Sequence, residues 1–309
     1  SFLEGVVQKG KTRYNRFTII SFSFVFEPPE VAWGIIMNEK RNHQINVALA
    51  QTKIIWEDKE QNYALTKMRI EEAVCRGAEA VFFPEMSFTG FSMNTEDTKE
   101  QDAQTIQRMK EMAQQYQVSL GFGWVKDCEK RCENHYTIVD RKGIVLSDYA
   151  KLHPFSYAGE DLKFQGGSAL ASFSINGIAC SCFICYDLRF PEIFQAASRT
   201  AHVIIVPANW PAKRSAHWKA LLRARAIENQ VYILAINCVG DIGGVDYTGD
   251  SCIIDPEGGI RVMLSGTEGN LCYTLTDDVE SFRAAFPVKL DRREQFYRGL
   301  YEKGLGETL

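Results

Sequence analysis

From Ile45 onward, short apolar runs alternate with longer stretches whose apolar residues recur at helical spacing, and this alternation narrows the possible folds more than any other feature. INVALAQ (45–51) has the length and content of a strand. Residues 59–76 read as a helix, with Ile70, Ala73, Val74 and the following Gly77 at the i, i+3, i+4, i+7 positions of one face. AVFF (80–83) reads as a buried strand, 97–117 as a polar amphipathic helix, and SLGFGWV (119–125) as a further strand. YTIVD and IVLSDYA flank Arg141-Lys142-Gly143, a hairpin turn signal. ALASFSI and IACSCFIC flank Asn176-Gly177, the strongest short-range hairpin mark. The strand HVIIVPA, a helix over 216–229 and the strand VYILAIN follow. SCIIDPEGGIRVML then reads as a third hairpin and GNLCYTLT as a last strand. Helices alternating with strands, plus several hairpins, predict a mixed sheet covered by helices, an α/β architecture.

A length of 309 residues would allow two domains, but no linker, internal repeat or low-complexity tract divides the chain. One domain is expected over 44–276, with a charged, aromatic and extended tail over 277–309. The preceding residues 1–43 read as an N-terminal extension. Within it, a basic start leads into the apolar run from Phe17 to Phe26, too short to span a bilayer. That run resembles a signal sequence, yet EPPE follows where a small-residue cleavage site belongs. The competing reading takes Met37 as the natural start and 1–36 as an upstream extension. The net charge of −4 carries no nucleic-acid footprint. Nine cysteines, an odd number, fit a reducing cytoplasm better than a disulfide framework.

In layered α/β proteins, ligands sit beyond the carboxyl ends of strands. Glu85, Lys151 and Cys185 each follow or end an apolar strand, so a carboxylate, an ammonium and a thiol are expected to converge on one pocket. Strand alternation separates the clustered cysteines. Cys180 and Cys182 share a face with Ile184, whereas Cys185 shares the other with Ser181 and Phe183. The first two therefore read as small buried hydrophobes and Cys185 as the pocket thiol. The same parity argues against a metal site on the C-x-C-x2-C spacing. Cys128 and Cys132 bracket a charged EKR loop and read as surface residues. His153 and His217 carry no local catalytic signature and read as structural. A nearby ammonium is expected to favour the Cys185 thiolate, while Glu85 opposes that charge and can carry the proton away.

FFPEMSFTGF, YAKLHPF and CYDLRFPE, in this order, resemble the three active-site segments of the nitrilase superfamily (carbon–nitrogen hydrolases). Residues 207–240 further resemble the ω-amidase branch. The resemblance implies a four-layer αββα sandwich and homodimers, often with the C-terminal tail reaching over the partner. It also implies a small-molecule amide substrate and no metal or organic cofactor. By residue, Cys185 would attack the amide carbonyl and Glu85 would shuttle protons. Lys151 and the Tyr186 N–H would hold the oxyanion, and Glu160 would orient Lys151 or assist the proton traffic. Asn209 and Trp210 follow a strand end and are expected to line the substrate pocket, with Arg214 pairing a substrate carboxylate. Phe88 and Phe91 either wall the acyl pocket or pack beneath it. Asp187 and Arg189 are expected to form a structural ion pair. Pro154 departs from the leucine of many relatives. An amidase of the deaminated-glutathione or carbamoyl-amine type, and a catalytically silent scaffold, are the alternatives.

Overall fold

The computed structural model of the chain describes residues 43–303. The expected extension therefore lies outside the described residues except for His43, as does the very end of the tail. Two mixed sheets stack face to face. The first holds β1 (Gln44–Gln51), β2 (Ala80–Phe82), β3 (Ser119–Lys126), β4 (Glu133–Val139) and β5 (Val145–Ala150). The second holds β6 (Phe173–Ile175), β7 (Ile178–Cys182), β8 (Val203–Ala208), β9 (Tyr232–Asn237), β10 (Val239–Ile242), β11 (Val245–Ile254) and β12 (Ile260–Ser265). The chain then returns to the first sheet, where β13 (Gly269–Thr276) pairs antiparallel with β1. Parallel pairing runs through β1-β2-β3 and through β7-β8-β9, and the outer strands are antiparallel.

Period-two alternation explains why the central strands read as continuous apolar runs: both faces are covered. On β1, Val47 and Leu49 face the second sheet, while Ala48 and Ala50 pack under α1 (Lys59–Cys75) and, beyond α2 (Thr95–Thr98), under α3 (Gln104–Tyr116). Past α4 (Glu160–Lys163), the second sheet's outer face is covered by α5 (Pro191–Ala197) and α6 (Ser215–Asn229), which bury Phe194, Trp218, Leu222 and Ala226. Helices, sheet, sheet and helices make the αββα sandwich. Among the described residues, no helix is long and apolar enough to cross a membrane.

Three local expectations change. The helix anticipated over 97–117 is broken in two, because Glu100 leaves the helical path to bridge Lys126. Its carboxylate then accepts from the Thr105 N–H and hydroxyl, which caps the start of α3. A hairpin at Gly243-Gly244 joins β10 to β11, so the 251–264 hairpin is one arm of a larger meander. The tail is helical rather than extended, with α7 (Val279–Ala285) and α8 (Glu294–Lys303). Val279 is buried, Asp277 pairs with His202 at 2.8 Å, and Arg283 donates to the Ser198 and Ala201 carbonyls. These contacts hold α7 to the chain's own α5–β8 corner.

Candidate active site

Glu85 is presented by a turn that locks onto β3. After β2, Ser87 donates to the Pro84 carbonyl, and Ser87 and Gly123 exchange hydrogen bonds across to β3. The approach requires glycine at 123, because a Cβ there would stand 2.2 Å from the Met86 nitrogen and 2.9 Å from the Glu85 carbonyl carbon. Glu85 is fully buried. Its Oε2 accepts from the Asn209 backbone N–H at 2.8 Å, and its Oε1 from Asn134 Nδ2 at 2.8 Å.

Lys151 leaves the end of β5 with its N–H donated to the Asn134 carbonyl. Its ammonium donates to Glu85 Oε1 and Glu160 Oε2, each at 2.8 Å. Glu160 opens the short helix α4 and is as buried as Glu85. Burial alone would lower the Lys151 pKa, but the Glu160 and Glu85 charges outweigh it and hold the ammonium protonated. Burial raises the Glu160 pKa, with Lys151 opposing and Glu85 adding to the rise.

The orientation of Cys185 has a different origin from the one strand alternation suggests. β7 stops at Cys182, so the pleat no longer governs residue 185. Cys185 instead starts a 3₁₀ turn, Cys185–Arg189, with φ of +47°, a left-handed conformation uncommon for a non-glycine residue. Asp187 secures that turn. Its buried carboxylate accepts from the Ile184 N–H, the Tyr149 hydroxyl, and the backbone and ring of His153. Asp187 thus ties the Cys185 turn to the segment following Lys151. It does not pair with Arg189, whose guanidinium lies over the Trp210 ring at 4.8 Å. Arg189 faces the pocket while Asp187 faces inward, so the expected ion pair does not form. Cys180 and Cys182 are buried in the core, as small hydrophobes would be, and burial pushes the Cys180 thiol up to about 12.

Burial, followed by the charge of Glu85, raises the Cys185 thiol well above its ordinary range, and Lys151 pulls the other way; the thiol itself donates to the Asn209 carbonyl at 3.9 Å. The expectation that Lys151 would favour a resting thiolate is therefore reversed. One ammonium between two carboxylates leaves the cluster net negative, so the arrangement holds a neutral thiol against a base able to take its proton.

Cys185 opens onto a cavity of about 170 Å³, below the roughly 300–1,000 Å³ typical of drug-sized ligand sites. Phe91, Tyr186, Trp210 and Arg214 line it, together with Arg189 and Lys213. Asn209 reaches the cavity, but both of its donors go to Glu85, its side-chain amide reaching the Glu85 carbonyl at 2.6 Å, while its Oδ1 accepts from Cys238. Phe88 lies away from the pocket, packed on Tyr63 beneath α1. Cys132 is buried against Met86 and Phe164 rather than at the surface, and Cys128 donates to Glu133. His153 is structural, stacked on Phe190. Sequence reasoning missed Asn134. Its one signal is an amide within the otherwise buried strand β4, and nothing local points that amide at Glu85.

A thiol, two carboxylates and a lysine in an αββα sandwich define a class that the comparisons with known proteins identify. The carbon–nitrogen hydrolase family model matches residues 46–284, and the chain belongs to that family. A 2-oxoglutaramate amidase of Bacillus subtilis (strain 168) is 35% identical over 234 residues, 73% of this chain and 89% of that protein. Omega-amidase YafV of Escherichia coli (strain K12) is 33% identical over 217 residues, 70% of this chain and 83% of that protein. Among solved structures, XC1258 of Xanthomonas campestris, a CN-hydrolase superfamily protein with an arsenic adduct in its active site, superposes with a TM-score of 0.77. It is 28% identical and aligns with 81% of this chain and 97% of its own. Within the family the chain stands in the ω-amidase-like branch and is an amide hydrolase.

Proposed function

We propose that this enzyme cleaves the terminal amide of a short carboxylate-bearing substrate, with 2-oxoglutaramate as the reference case, to a carboxylate and ammonia. One observation carries the substrate class. Arg189, Lys213 and Arg214 line the mouth of the Cys185 cavity, and among the described residues none of them pairs with an acid. Arg214 instead rests over the Tyr157 and Phe155 rings at 5.0 and 5.5 Å, leaving its guanidinium edge to pair with a ligand carboxylate.

Chemistry proceeds in two halves. Glu85 takes the Cys185 proton as sulfur attacks the amide carbon. The oxyanion forms toward the Lys151 ammonium and the Tyr186 N–H, a first-turn donor that precedes the 3₁₀ turn's own hydrogen bonds. Glu85 returns the proton to the departing nitrogen, the C–N bond breaks, and ammonia leaves a Cys185 thioester. Glu85 then deprotonates a water that attacks the thioester, and the proton returns to sulfur as the acid departs. Glu160 keeps Lys151 aimed at the oxyanion. Phe91, 5.2 Å from the Lys151 ammonium, and Trp210 wall the acyl chain. The enzyme works as a cytoplasmic homodimer: nine free cysteines suit a reducing compartment, and Phe286, Leu290 and Tyr301 leave apolar surface exposed on the tail.

Ammonia release from 2-oxoglutaramate, succinamate, neutral short amides, carbamoyl amines and deaminated glutathione tests the proposal. Carboxylate-bearing ω-amides are expected to be the best substrates, with Arg214→Ala raising their KM about tenfold or more and leaving neutral amides unchanged. Equal turnover of neutral amides would overturn the substrate class. Equal behaviour of wild type and Cys185→Ala on every substrate would overturn the enzyme reading.

A further inference from the structure

We infer that Asn134 is a positioning residue that sets the ionisation of the Glu85–Lys151–Glu160 cluster. The inference rests on the amidase reading for its kinetic arm only. Asn134 lies on β4, 1% exposed, and touches all three members of the cluster. Its Nδ2 donates to Glu85 Oε1 at 2.8 Å and to Glu160 Oε1 at 3.0 Å, and its backbone carbonyl accepts the Lys151 backbone N–H at 2.8 Å. One amide group thus spans both carboxylates from the same side.

Two buried carboxylates around one lysine repel each other, and the proton that would relieve the repulsion would disable whichever one it binds. Lys151 cancels only one of the two charges. The Asn134 amide supplies neutral donors that stabilise the ionised form of both, without adding a charge that would pull the Cys185 proton off in the resting state. Glu85 therefore stays available as the base. Both bonds that the Asn134 side chain makes to the cluster run through Nδ2; among the described residues its Oδ1 has no partner.

The test compares Asn134→Leu and Asn134→Asp with Thr137→Val, a buried substitution on the same strand away from the cluster. Losing a donor to an ionised carboxylate is worth about one pH unit or more. For Asn134→Leu, the acid limb of kcat/KM should move up by that amount, so that the rate falls roughly tenfold at a fixed pH on that limb, through kcat with KM little changed. Asn134→Asp replaces the donor with a third anion and should move the limb further, whereas a packing role would make the near-isosteric Asp the milder change. The pH dependence of Cys185 alkylation by iodoacetamide, read by mass spectrometry at that residue, should show the same order of shifts without any amide turnover. Identical acid limbs in wild type, Leu and Asp variants, or losses that track melting temperature as Thr137→Val does, would overturn the inference. An inactive wild type with shifted alkylation limbs would instead overturn the amidase reading and leave Asn134's role standing.

Discussion

Replacing Lys151 by methionine removes the one cation between Glu85 and Glu160 and keeps the stem's volume. Each ammonium–carboxylate contact is 2.8 Å long, and the three side chains are 0–1% exposed, so solvent screening is minimal. At an effective dielectric of about 20, one such contact is an attraction on the order of 6 kcal/mol, offset by desolvation and by repulsion between the carboxylates. Breaking a buried pair from one side costs about 3–5 kcal/mol, because the remaining charge is stranded. At roughly 2 °C per kcal/mol for a chain of this size, the melting temperature should fall by about 6–10 °C. The pH dependence carries a sign. Burial already raises the Glu160 pKa, and Lys151 is the main opposing influence. A carboxylate with a raised folded-state pKa contributes stability that is present below its ordinary value, near 4.3, and lost as pH rises through the folded value. Without Lys151 that folded value climbs further. The deficit of the variant should therefore be largest at about pH 8 and shrink by about pH 5.5. Urea melts at both pH values measure it, and Lys151→Met combined with Glu160→Gln should recover a large part of the loss. A variant as stable as wild type at pH 8, or a deficit that grows on acidification, would refute the reasoning.

Gly123→Ala should cost about 1–3 kcal/mol and lower kcat, since the added methyl drives the Glu85 turn off β3; thermal melts and ammonia release on the same sample check both. Asp187→Ala removes the acceptor of four donors at the Cys185 turn, so stability should fall by about 2–4 kcal/mol and the rate of Cys185 alkylation should change, as read by urea melts and site-resolved mass spectrometry. Lys289, which donates to Ser198, has its pKa lowered to about 8 by burial and then by Arg283 and Arg292. Stability from a depressed lysine is present above its ordinary value near 10.4 and is lost as pH falls through 8, so the hydrogen-exchange protection of α7, corrected for the intrinsic rate, should rise between pH 8 and 10, and Lys289→Met should abolish that trend.

The strands and most helices were legible because their signals are local: apolar alternation for β1–β3, the Asn176-Gly177 turn, and helical spacing in α1 and α6. Glu85, Lys151 and Cys185 were legible too, because reactive residues at the ends of apolar strands stand out against their neighbours. Helix 97–117 failed as a single element because Glu100 answers to Lys126 and Lys59, partners distant in the chain.

What the order of residues determined by itself was the alternation of strands and helices and which side chains could do chemistry; the pattern predicted one mixed sheet, and the stacking of two sheets came only from the family resemblance and the tertiary structure. Tertiary structure decided how they do it. The direction of Cys185 depends on a left-handed turn held by Asp187, and the turn's partners, Tyr149 and His153, come from another segment. The charge state of the thiol depends on Glu85, Lys151 and Glu160 meeting where water is excluded. Pattern along a chain reports which groups are present, whereas ionisation follows from distances and burial that exist only once separate strands are packed together.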